Sequence, residues 1–151
     1  MPATQLLRLQ IAYLLQQFSD KNQLGWNVQD AADWATPPEK LPAILVNALS
    51  DSKTVWTRNQ PSFDTTVTIT VQGRVPLQNT NALAQSAIDA MKYQVESAIF
   101  TDYHLIQAIQ KFSNVSSTIE ITAEGKKHIA AFNMHLQIEV PEVFDPFVVN
   151  Q

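Results

Sequence analysis

Apolar and polar residues alternate along the segment that closes at Val140. Phe132, Met134, Leu136, Ile138 and Val140 fall on one side; Asn133, His135, Gln137 and Glu139 fall on the other. A period of two over this length predicts a β-strand, residues 128–140, with one buried face. Its second face is polar and nearly uncharged: it offers amides and an imidazole where a solitary domain usually carries Lys and Glu. Such a surface suits water and equally suits a protein partner. The pattern recurs over 65–75, where Val67, Ile69 and Val71 alternate with Thr66, Thr68, Thr70 and Gln72. Threonine favours strands in any case, so that row alone discriminates little. Pro42 followed by the apolar run Ala43 to Leu49 predicts another strand, with a turn or bulge at Asp51-Ser52-Lys53 and a continuation at Thr54-Val55-Trp56. A fourth strand, Thr118 to Ala123, joins the 128–140 strand through a turn at Glu124-Gly125-Lys126-Lys127.

Two segments follow the helical period instead. Leu7, Ile11, Leu14, Leu15 and Phe18 predict an amphipathic helix over 5–18, capped by Thr4 and ended by Ser19-Asp20-Lys21-Asn22. Thr80-Asn81 caps a longer one over 82–99, with a stripe of Leu83, Ala84, Ala87, Ile88, Met91, Val95, Ala98 and Ile99. Its alanines let it lie close against a sheet, and Asp89 and Lys92 are spaced to pair on its wet side. Asp102 caps a short further segment through Ala108. The stretch 19–41 reads as a long connection holding Trp26, Trp34 and Pro37-Pro38, with a short helix from Asn27 to Trp34. Its tryptophans are packing anchors or interface hot spots.

In order, these elements predict an α+β fold: a mostly antiparallel four-stranded sheet with two main helices packed on one face. Residues 1–141 form a single domain. Residues 142–151 are apolar but flanked and broken by Pro141 and Pro146, so they are expected as an extended C-terminal arm.

Composition sharpens this picture. The chain of 151 residues is 45% hydrophobic, enough for a real core, but only 16% charged, against roughly a quarter in typical soluble proteins. Low charge without a membrane-length apolar run points to surface buried against other chains. A formal charge of −4 disfavours sequence-independent phosphate binding, which needs a basic surplus. There is no cysteine, hence no disulfide, thiolate metal site or cysteine nucleophile. The first residues carry no basic leader, so a chain made in the cytoplasm and kept off the membrane is expected.

Candidate chemistry is sparse. His104, His128 and His135 lack the spacing of a helical zinc site, and His135 and Glu139 are too far apart along a strand to chelate alone. Glycine occurs three times, never as a phosphate loop, and no serine sits in a nucleophile elbow. Asp30 and Asp33 are a candidate carboxylate pair, more simply two solvated loop acids. Lys126 and Lys127 read as turn charges. No enzyme activity, cofactor or metal is expected.

The ordered set Leu41-Pro42-Ala43-Ile44-Leu45-Val46, Thr65 to Val71, the helix Leu83 to Met91 and the closing strand Asn133 to Val140 resembles the tail terminator family of long-tailed bacteriophages, the lambda-type minor tail protein group. The likeness covers roughly residues 4–140 in element order and is one of pattern, not of a signature motif. It implies a sheet with helices packed on it, assembling with itself as a hexameric ring on the end of the tail tube. Such a ring stops tube growth and docks to a neck or head-completion protein. DNA passes its lumen without specific binding. It also implies a location in the virion after synthesis in the bacterial host cytoplasm. A neck or tail-completion protein shares this architecture, and a small α+β enzyme or ligand-binding domain is the reading from a different class. On the ring reading, the uncharged rows Thr66, Thr68, Thr70 and Asn133, His135, Gln137 are the expected contact. Trp56 is a further candidate contact, Arg58, Lys126 and Lys127 lie toward the tube or neck, and Phe144 and Phe147 of the arm order against a neighbour.

Overall fold

The computed structural model describes residues 2–30, 40–55 and 62–144. Its helices are α1 (Ala3–Asn22), α2 (Asn81–Phe100) and α3 (Tyr103–Ala108). Its strands are β1 (Asn27–Asp30), β2 (Ala43–Val55), β3 (Ser62–Arg74), β4 (Lys111–Glu124) and β5 (Lys127–Val143). One sheet holds all five strands in the order β1-β2-β3-β5-β4. The β1–β2 pair is parallel and the other neighbours are antiparallel. The α+β class stands as expected; among the described residues the sheet has five strands where four were expected, and one parallel pair makes the mostly antiparallel sheet mixed.

The added strand is β1, where a short helix was expected. Gln23 closes α1 in the left-handed region, and Gly25 follows at φ 70°. Together they reverse the chain, so Asn27 to Asp30 run beside Ala43 to Val46. Arg8 of α1 holds Asp30 through an ion pair of 2.6 Å. A strand of four residues, all half-buried, has no room to display a period. Tertiary pairing decides its state, not its own sequence.

The core lies between the sheet and the two long helices. Leu7, Ile11, Leu14 and Leu15 of α1 and Ala84, Ile88, Met91 and Val95 of α2 join one buried cluster with Val67, Ile69 and Val71. The predicted buried row of β5, Phe132 to Val140, is buried at every alternate position. Burying one such side chain stabilises by about 1.5–3 kcal/mol, so this seam dominates the fold. Gly73 lies opposite Phe132 in the β3–β5 register. A Cβ there would overlap the Phe132 ring and come within 2.9 Å of Met91 Sδ. The missing side chain is what lets that ring fill the space under α2. Trp26 is an anchor: it is buried, stacks on Phe18 at 5.8 Å, and its backbone N–H donates to Ser19 Oγ at 2.8 Å. Trp34 lies outside the described residues.

Thr80 caps α2 by accepting from the Leu83 N–H at 3.1 Å, and Asp102 caps α3 by accepting from the Leu105 N–H at 2.9 Å. Thr4, in contrast, lies inside α1, whose N-cap is Pro2. Asp89 accepts from Gln85, while Lys92 pairs with Glu96 at 2.9 Å, one turn on, instead of with Asp89. β2 runs unbroken to Val55 with its irregularity between Ala48 and Ser50. β4 begins at Lys111, seven residues before the predicted start, anchored by Phe112 edge-on to Phe100 at 5.1 Å.

Candidate assembly surface

Side chains that alternate out of the core must gather on the far side of the sheet, and the register decides which of them meet. Thr66, Thr68, Thr70 and Gln72 of β3 stand directly opposite Glu139, Gln137, His135 and Asn133 of β5. The two rows read separately in the sequence are thus one patch. Thr70 Oγ1 lies 3.3 Å from His135 Nδ1, and Gln72 Nε2 donates to Asn133 Oδ1 at 2.6 Å.

The register carries the patch outward to both sides. On β2, Asn47, Ser50 and Ser52 flank Thr70, Thr68 and Thr66. On β4, Thr118, Ser116 and Asn114 flank Asn133, His135 and Gln137. Hydroxyl and amide groups therefore span four strands. Charge enters at both ends: at one, Lys111 Nζ lies 3.7 Å from Glu139 Oε2; at the other, Arg74 and Glu120 flank Ala131. The β2 and β4 members were not singled out in the sequence. A bulge shifts the phase of each strand, between Ala48 and Ser50 and between Phe112 and Asn114. The run Ser116 to Thr118 is also too uniformly polar to show which side is which. A surface of this chemistry can donate and accept hydrogen bonds in a contact without stripping water from charges.

The other predicted contact residues lie elsewhere. Lys127 opens β5 opposite Glu124, and Lys126 occupies the exposed tip beside Gly125, whose φ of 65° suits the first position of a two-residue hairpin turn. Phe144 packs edge-on against Phe63 at 5.9 Å, with Lys53 Nζ 5.7 Å from its ring centre, away from the polar patch. Trp56, Arg58 and Phe147 lie outside the described residues, as does Asp33, the proposed mate of Asp30.

Pro141 does not end β5. It pairs with Asp64, and the strand continues to Val143. A proline is tolerated where its ring nitrogen is not needed in the ladder. Continuation brings Glu142 onto Lys53 and to the hydroxyl of Thr65, which donates at 2.6 Å; Lys53 also lies 3.3 Å from Asp51. The backbone N–H of Ala3, at the start of α1, also favours the charged form of Glu142. Burial alone would raise the pKa of Glu142; the Lys53 and Thr65 hydrogen bonds, the Lys53 charge and the Ala3 N–H outweigh it and hold the carboxyl below its ordinary range. Burial likewise works against the Lys53 ammonium, but Glu142 and then Asp51 outweigh it and hold its pKa above the usual value. Beside this junction a cleft of mixed polarity, about 560 Å³, opens between Leu6, Leu7 and Gln10 of α1 and Val140 to Phe144. It has the groups for packing and none arranged as a nucleophile with its base.

Among the described residues no group of three or more His, Cys, Asp or Glu side chains is placed to hold a metal ion, and no helix is long and apolar enough to cross a membrane. No protein-family model matches the sequence, and no curated protein matches it.

Proposed function

We propose that the chain is a structural subunit of a bacteriophage tail: a terminator that assembles as a ring, six-membered on the family likeness, at the end of the tail tube. There it stops tube polymerisation and offers the docking surface for the neck or head-completion protein. The observation that supports this most is the polar patch. Four strands in register present hydroxyls and amides on the side of the sheet away from α1 and α2. A contact there costs little desolvation and gains many hydrogen bonds, which is what a subunit that must assemble only on its tube needs.

The test uses the register. Thr68 and Gln137 stand directly opposite, so Thr68→Lys with Gln137→Lys places two ammonium groups side by side in the middle of the patch. Like charges so placed cost the fold roughly 0.2–1 kcal/mol. Desolvating them in a contact costs far more. The expected outcome is a folded double variant that no longer forms rings in negative-stain images, while the wild type does. A double variant that assembles normally would show the patch to be merely solvated. In the phage, loss of the protein should leave overlong tubes; tails of normal length without heads would instead assign it to the neck.

A further inference from the structure

β4 is an edge of the sheet, and it lacks most of what keeps edges apart. An edge strand presents unpaired N–H and C=O groups, which proteins usually blunt with lysine, proline, bulges or short length. β4 is 14 residues long. From Phe112 to Ile119 it holds neither a charge nor a proline. Its bulge, between Phe112 and Asn114, sits at one end. From Asn114 to Glu120 every residue is exposed, including Val115 at 40% and Ile119 at 38% on the helix side of the strand.

We propose that β4 pairs antiparallel with β4 of a second copy of this chain, about a two-fold axis through Ser117. The side chains set the register. With Ser117 opposite its own counterpart, Val115 meets Ile119 of the second copy, and the pair occurs twice. On the polar side Ser116 meets Thr118, and Asn114 meets Glu120. No like charges oppose each other. An axis at Ser116 would set Val115 against Ser117 and Ile119 against the bulged Ser113. An axis at Thr118 would leave Ile119 against Ser117. The Ser117 register is the one of these three that covers both half-exposed aliphatic side chains with each other. It also keeps the polar patches of both copies on the same side of a ten-stranded sheet, twice the five strands of one chain. The contact is isologous and closes on itself. It is therefore distinct from the head-to-tail contact of a ring and stands independently of that reading.

The chain has no cysteine, so single introduced thiols report on the register. Directly opposed antiparallel residues have Cα atoms about 4.5–5.5 Å apart, within disulfide reach. Under mild oxidation the Ser117→Cys protein should cross-link to a dimer, and Thr122→Cys, set opposite Phe112, should not. Val115→Cys and Ile119→Cys should cross-link when mixed and much less when alone. Ser117→Lys should weaken self-association at least about tenfold, and mixing it with Ser117→Asp should restore it. Thermal melts of each variant check that the fold persists. Equal cross-linking at 117 and 122 would overturn the register. A wild-type mass of one 16.9 kDa chain at every concentration, without cross-linking at 117, would overturn the pairing. Rings that form without a 117 cross-link would overturn the pairing alone. Two-fold dimers that never form rings would uphold it and count against the terminator.

Discussion

Gly73 and Phe132 illustrate how much one absent side chain can position. Glycine in a strand interior usually weakens it, yet here the gap is filled by the Phe132 ring, which also meets α2 through Met91. Gly73→Ala should destabilise by about 1–3 kcal/mol, the usual cost of overpacking a close-packed core. Adding Phe132→Leu to Gly73→Ala should recover part of that loss in urea unfolding, because the smaller side chain makes room for the methyl group. If the double variant is less stable than the sum of the two single changes, the crowding is not between these residues.

At the scale of elements, the end of β5 is tied to β2 and β3 through Glu142, which meets Lys53 and Thr65. The carboxyl's pKa is lowered in the folded protein, so its contribution is fully present above the ordinary glutamate range and is lost as pH falls through the lowered value. The Lys53 pKa is raised, so that contribution holds below the ordinary lysine range and is lost only as pH rises through the raised value. Between these limits the junction is constant. The stability gap between wild type and Glu142→Gln should therefore be flat through neutral pH and shrink on acidification, as measured by denaturant midpoints. A gap that persists in acid would mean that the carboxylate charge is not its source.

At the scale of the molecule, the proposed ring of six copies of a chain with formal charge −4 would be acidic. On that proposal packaged DNA would pass its lumen without being gripped, since acidic or neutral walls repel phosphate. The assembled protein is expected not to retain duplex DNA in a low-salt binding assay, the condition at which electrostatic affinity is greatest. Tight, salt-sensitive binding would instead favour a neck protein that holds the genome in place.

The strongly periodic segments were legible in the sequence: both long helices, the caps Thr80 and Asp102, and the buried rows of β3 and β5. In each, the spacing of apolar residues matches the backbone repeat over many residues, so local chemistry and burial agree. The polar rows were legible too, but only as separate strands. Their union into a four-strand patch depends on register, which a pairing partner sets and no strand encodes alone. The same holds for β1, too short to show a period, and for β4, whose edge position leaves its apolar residues only half covered. Glu142 lies far from Lys53 and Thr65 in sequence, so its bonds to them have no local signature. Pro141 reads as a strand end until the neighbouring strand shows that its missing N–H is not required. Periodicity determined which residues face inward; tertiary pairing decided which outward residues meet, because contacts between strands bring together residues that the chain keeps apart.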